Sequence, residues 1–390
     1  INSNIDFDGA SNLFADDGTL TINGSILDVN RIGTDDVDGI LNVVNAWNTS
    51  VTSFLQMNGG TIQGGTMTID NVNSLSGFGT VSSRVINNTG IRASGGTLVL
   101  QTAGNDNDWD GAANNASLHA QSNSTLELRD NATFGFTGAV SMFSGGKVFT
   151  NGFALDFNPG SSLFLNSNAT YESTSSTDLG GVVTTSAGPA STIKVQNNFF
   201  LTFEPTSTTT LVADLRLENN NINIEDGATF SGTGALIIPD GSHLVADNLA
   251  DIGVLLDMQG TFRPGNFDGI GRVNLFDYQQ EDTGELFVEL TGTALNAFDR
   301  LVASGDVVLD GYLNIDIDGG FVPALGNTFN IITGNTVTGT FDTVDVSGVP
   351  AGLAFQVNYL LNAVQLQVVN KPNFAADFDD DGDVDKTDLA

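Results

Sequence analysis

The chain has 390 residues, with 46 Asp or Glu against 12 Lys or Arg and a formal net charge of -34, although only 15% of residues are charged. A surface of that sign repels nucleic acid and anionic membranes and attracts divalent cations, which sets polyanion binding aside. Hydrophobic residues make up 40% of the chain, 26 of them Phe, and they recur in short regular runs, so acidity here does not mean disorder. There is no cysteine, which excludes disulfide staples and thiolate metal sites. No run of about 18 apolar residues is present to cross a membrane as a helix. The opening INSNIDFDG has neither Met nor a basic and apolar leader, and reads as the start of a processed secreted chain or of a fragment.

Strand signals follow in chain order: GTLTI at 18–22, GTIQG from 60, GTMTI from 65, GTVSS from 79, GTLVL from 96, STLEL from 124, STIKV from 191 and INIED from 222. Each is short, rich in Thr, Val, Ile or Leu, and bounded by Gly, Asn, Asp or Ser. No window of helical length carries a 3.6-residue period with caps, so the chain reads as all-β. Internal repetition then selects a parallel β-helix, a β-solenoid, over a sandwich or barrel. DNATFGFTGAVSM at 130–142 and DGATFSGTGALII at 226–238 share one frame, and NATYES from 168 is a weaker third copy. In such a fold each coil lays its strands on the next, and Phe, which has no polar handle, suits a dry interior column.

Two acidic stretches have calcium-loop spacing. In DFDDDGDVDKTDL at 377–389, Asp377, Asp379, Asp381, Asp385 and Asp388 occupy positions 1, 3, 5, 9 and 12 of a twelve-residue loop. Gly382 stands at position 6 and Asp383, at 7, offers its carbonyl. DNDWDGAANNAS at 106–117 places Asp106, Asp108 and Asp110 at positions 1, 3 and 5, but Ser117 at 12 withholds the bidentate carboxylate. Ca²⁺ is therefore the expected cofactor. Shorter pairs, such as DDVDG at 35–39, read as turns.

No catalytic constellation is legible, and the expectation is a protein that is not an enzyme. His119 and His243 stand apart on separate strands, without Ser/His/Asp order or metal spacing. Arg263 and Arg272 flank PGNFDGIG and read as turn anchors. An enzymatic reading requires a groove on one face with three or more convergent carboxylates and an Arg or Lys. Seven N-x-S/T sequons occur, at Asn23, Asn48, Asn87, Asn115, Asn123, Asn131 and Asn168, a number that composition alone explains.

A boundary is expected near GTFRPGNFDGIG at 260–271, giving a solenoid over 1–260, a C-terminal β region over 261–370 that either continues the solenoid or folds sandwich-like, and an EF-hand-like loop over 371–390. The succession RPGN, GELFVELTG, FDRLVASGDVVLDGYLNIDI, GGFVPALGNTFNIITG, TGTFDTV and PAGLAFQVNYLLNAVQLQVV resembles the C-terminal passenger segment of large secreted β-strand-repeat proteins. Such proteins abound in planctomycetes and are similar to autotransporter passengers. LSGFGTVSSRVINNTGIRASGGTLVLQ at 75–101 is similar to adhesin-type β-helix repeats, and the acidic tail resembles the first half of a type I dockerin, with Asp388 rather than Glu at position 12. The resemblance implies a secreted or cell-surface structural protein that assembles head to tail with its own copies, or an adhesin that binds surface polysaccharide or matrix.

Overall fold

The computed structural model describes residues 1–7, 11–70, 75–101, 107–109, 116–130, 134–265 and 269–371. The chain is nearly all β and forms a parallel β-solenoid of about 12 turns. It divides into two compact units, Ile1–Ile237 and Ile238–Ala390.

In the first unit three ladders run side by side. One stacks Ser117–Ala120, Ala139–Met142, Ser162–Leu165, Val182–Thr185, Thr208–Leu211 and Thr229–Gly232; all adjacent members pair in parallel. A second contains Thr125–Arg129, Lys147–Asn151, Thr170–Ser173, Ser191–Val195 and Leu215–Glu218. A third contains Phe134–Phe136, Leu155–Phe157, Thr177–Leu179, Leu201–Phe203 and Ile222–Ile224. Alternation along each strand sends every second residue inward, so register stacks like on like: Leu126, Val148, Tyr171, Ile193 and Leu217 form one buried column.

The shared sequence frame does not mark one structural position. Its copy at 130–142 feeds the third ladder through Phe134–Phe136, its copy at 168 feeds the second through Thr170–Ser173, and its copy at 226–238 feeds the first through Thr229–Gly232. In the two copies whose turn is described, what repeats is a corner. A residue with positive φ, Asn168 at 57° or Gly227 at 101°, turns the chain, and a buried alanine, Ala169 or Ala228, fits against the wall before the next strand begins.

The phenylalanine columns are shorter than expected. Phe136 and Phe157 stack edge-on, 5.8 Å between centroids, but the next rungs of that column are Leu179, Phe203 and Ile224. Aliphatic residues dominate the rest of the interior. Several phenylalanines point outward, and three carry a cation on the ring: Arg31 on Phe54, Lys147 on Phe149 and Arg263 on Phe287.

Earlier coils of the first unit use longer strands, among them Ile26–Thr34, Thr52–Gly64, Leu75–Val81 and Gly90–Gln101, and the register between the last three shifts at glycines. Gly77, at φ 129°, lies so close to the preceding coil that an added Cβ would stand 1.8 Å from the Met57 carbonyl oxygen. Gly77→Ala is expected to destabilise the protein by more than about 2 kcal/mol, because both φ and backbone contact forbid a side chain. Urea unfolding checks this, and an unshifted midpoint would refute it.

In the second unit the ladders remain parallel through Thr343–Ser347. Residues 261–347 thus form solenoid coils. Among the described strand ladders, the final hairpin reverses: Leu353–Leu360 and Ala363–Asn370 pair antiparallel, and the latter strand pairs antiparallel with Thr328–Thr333. The hairpin closes over Phe329, which meets Phe298, Phe321 and Phe355 at 5.4 to 6.1 Å. No helix among the described residues is long and apolar enough to cross a membrane.

Candidate functional site

A concavity of about 430 Å³ lies on the outer face of the second unit. It forms where Thr261–Pro264, Glu285–Leu290, Tyr312–Ile317 and Thr343–Ser347 stack in parallel. Register fixes its content. Phe287, Asn314 and Asp345 form one outward column, and Glu289, Asp316 and Ser347 form the next. Arg263 lies on the Phe287 ring, its guanidinium carbon 3.8 Å from the centroid. The Ser347 hydroxyl donates to Asp316. Three carboxylates, Glu289, Asp316 and Asp345, and one arginine thus share a groove, the inventory that an enzymatic reading requires.

Asp299 borders this groove from within. Beyond the Phe262 and Leu286 pair, Pro264 cannot donate to a ladder and the chain turns away, leaving Glu289 without its expected strand neighbour. The segment at 298–299 fills the gap. Leu290 and Phe298 form an antiparallel bridge, the Asp299 N–H donates to the Glu289 carbonyl at 3.0 Å, and the Asp299 carboxyl accepts the Glu289 N–H at 2.8 Å and the Gly271 N–H at 2.7 Å. Burial pushes the Asp299 carboxyl up to about 8, against the opposing pull of the two N–H donors. The sequence offered one cue to it, a lone acidic residue in the apolar context of AFDRLV, which the sequence reading left unused.

A second carboxylate departs from its ordinary range on the third ladder of the first unit. Burial, reinforced by the neighbouring Asp178 one rung away, raises Asp156 to about 6. Stacked acidic residues are a direct product of parallel register.

Of the residues singled out for metal, Asp377, Asp379, Asp381, Asp383, Asp385 and Asp388 lie outside the described residues, as do Asp106 and Asp110. Asp108 is described. Its backbone bridges to Ile86 and extends the small ladder of Trp47–Asn48, Met67–Ile69 and Val85–Asn87. Beside it Asn107 and Trp109 are buried, and Asn107 donates to Asp130 through both its N–H and its side-chain amide. Sequence reasoning treated 35–39 as a plain turn. The structure brings Asp16, Asp17 and Asp36 together, with carboxylate oxygens within 4.8 Å of one another, a largely exposed trio able to accept a cation.

His119 and His243 do stand on separate strands, Ser117–Ala120 and His243–Ala246. His119 Nε2 is 2.8 Å from the Ser117 hydroxyl, and burial, then the nearby Arg92, lowers its pKa. Among the sequons, Asn87 is fully buried, its amide donating to the Trp109 and Ser117 carbonyls, so it presents no acceptor for a glycan. Arg263 is an aromatic-stacked residue of the groove rather than a turn anchor. Arg272 lies on the strand Arg272–Gln280, one rung from Arg300.

No protein-family model matches the chain, and no curated protein sequence is significantly similar to it.

The Asp299 site carries a pH prediction. Its folded pKa lies above the unfolded value, so its contribution to stability is complete below about pH 4 and is lost as pH rises through about 8. Asp299→Asn is expected to flatten the fall in melting temperature between about pH 4 and about pH 8. It should also lower the melting temperature at acid pH, since an amide cannot accept two N–H groups in the same geometry. Parallel pH profiles for the two proteins would refute the assignment.

Proposed function

We propose that this protein is an extracellular structural protein whose β-solenoid coils join copy to copy into a fibre, sheath or layer, with calcium quietening the mutual repulsion of chains charged at -34. One observation carries the reading. The strand Thr343–Ser347 ends its ladder with no partner on its far side among the described residues. The Thr343 N–H faces Gly311 in the coil behind, so Val344 and Val346, on the alternate positions, direct their N–H groups to the open side. Both valines stay half-exposed although their register partners Leu313 and Ile315 are buried.

In the first unit, the strands Asn12–Ala15 and Gly18–Ile22 each have one strand partner among the described residues, with Leu13, Phe14 and Leu20 half-exposed, while Ile1 reaches the far side of the latter, its amino group donating to the Thr21 carbonyl at 2.6 Å and its carbonyl accepting the Asn23 N–H at 2.8 Å. An edge that offers backbone groups and apolar side chains together is a template for another strand. Contact between two unlike edges is heterologous and propagates when rotation does not close it. The resemblance to secreted β-strand-repeat passengers with a dockerin-like acidic tail supports the same class and a surface location.

Val346→Pro removes one open-side donor at an edge position where proline is tolerated. The protein is expected to sediment as a concentration-dependent series of oligomers, and the variant to shift toward monomer with little change in melting temperature. A chelator is expected to loosen the assemblies. Wild-type protein that remains monomeric at every concentration, with and without calcium, would overturn the proposal.

A second reading, a polysaccharide-binding passenger, is favoured by the groove of Arg263, Phe287, Glu289, Asn314, Asp316 and Asp345, whose polar groups match sugar hydroxyls. Against it, both tryptophans are buried and the exposed tyrosines, Tyr312 and Tyr359, form no row. A glycan array, with activity screens on pectin, alginate and xylan, decides the matter. Array hits lost in Asp345→Asn would establish the groove as the site, and an empty array would dismiss it.

A further inference from the structure

Cations are scarce in this chain, and most of those with a described partner sit on a carboxylate or an aromatic ring. Arg129 and Lys147 reach Glu127 and Glu172, while Lys194 and Arg216 share Glu218. Arg272 and Arg300 differ in having no carboxylate partner among the described residues, although the Arg300 guanidinium carbon lies 5.8 Å from the centre of the Phe298 ring. They are direct register partners on adjacent rungs, so two positive side chains leave the same face roughly 4.8 Å apart along the ladder. Neither forms an ion pair among the described residues, and the Nε of each is buried without a hydrogen-bond partner. Burial, then the charge of Arg272, lowers the pKa of Arg300.

Like charges directly opposite each other in a sheet are unfavourable, and a chain with 46 acidic residues had ample means to place a carboxylate beside them. Instead the two arginines line a cavity of about 230 Å³ with Asn248, Leu249, Leu295, Asn296 and Phe298. The surrounding backbone is held in place. The Arg272 N–H donates to the Asn248 side chain at 3.0 Å, the Leu249 N–H donates to the Arg272 carbonyl at 2.7 Å, and Leu249 takes a left-handed φ of 74°. That turn leaves Leu249 47% exposed, and Leu295 on the facing loop is 66% exposed. Leucine gains nothing from either position in water, so the cavity presents two guanidinium groups without a carboxylate partner beside an apolar rim.

We propose that this cavity is a binding site for a small organic carboxylate with an apolar body, its carboxylate held by Arg272 and Arg300 and its body seated on Leu249, Leu295 and Phe298. Guanidinium groups match a planar carboxylate through paired N–H donors, and a single bound anion neutralises the repulsion that the rungs impose. The cavity is too small, and the rest of the protein too acidic, for a polyanion. This site is separate from the groove around Arg263 and from the strand edges that carry the assembly proposal.

The test uses the full chain and three probes at constant ionic strength: sodium benzoate, its neutral analogue benzamide, and sodium acetate, which lacks the apolar body. Calorimetric titration is expected to give saturable binding of one benzoate, with benzamide and acetate each weaker by at least about tenfold. Arg300→Gln is expected to lose benzoate binding by a similar factor while keeping or raising the melting temperature of the ligand-free protein, because it removes a like-charge pair. Three results would overturn the assignment: no saturable benzoate binding, equal binding of benzamide, or a ligand-free Arg300→Gln protein that melts well below wild type, which would mark the arginines as structural. Arg272→Gln provides the same readouts from the other rung.

Discussion

The backbone ladder between successive coils is the constraint from which the rest of this structure follows. Among the described residues, the strands of an interior coil pair with those of the coils before and after it, and parallel register then fixes which side chains touch. Leu126 rests on Val148 and Val148 on Tyr171 because their backbones are paired, with no freedom to choose other neighbours. The same rule acts on the outer face, where it stacks Asp156 on Asp178 and Arg272 on Arg300. In a globular core, like charges can be steered apart by rotating an element. Here they remain one rung apart, and the energy of each column is decided by composition at a fixed spacing.

Where the ladder breaks, other groups must take its place. Pro264 ends one strand early, and the protein supplies a short antiparallel bridge and the Asp299 carboxyl in its stead. The expense of burying that carboxyl is tolerable because it accepts two backbone N–H groups that would otherwise be orphaned. The groove holding Arg263, Phe287 and the three acidic residues opens next to this repair, on strands aligned by their own parallel pairing.

Much of the architecture was legible in the sequence. Short Thr-, Val- and Leu-rich runs with Gly, Asn and Asp between them can satisfy only a repetitive β fold, and the described residues form one. The repeated frame around ATF and ATY was legible too, but its copies feed strands of three different ladders, and in the two whose turn is described it marks a corner, at Asn168 and at Gly227. The phenylalanine interior was overdrawn because composition does not tell inward from outward, and rings such as Phe54 and Phe149 serve outside as seats for rare cations. The candidate sites were the least legible. The Asp16, Asp17 and Asp36 trio and the Arg272 and Arg300 pair join residues 19 to 28 positions apart, and only coil length, which varies along this chain, brings them together.

The last hairpin changes the grammar of the structure. Ala363–Asn370 runs against both of its neighbours, Thr328–Thr333 and Leu353–Leu360, so two reversals bring Leu353–Leu360 back to the direction of the coils. The second unit therefore has two unlike last rungs: one made by folding the chain back on itself, the other, Thr343–Ser347, made by a coil that has no such return among the described residues.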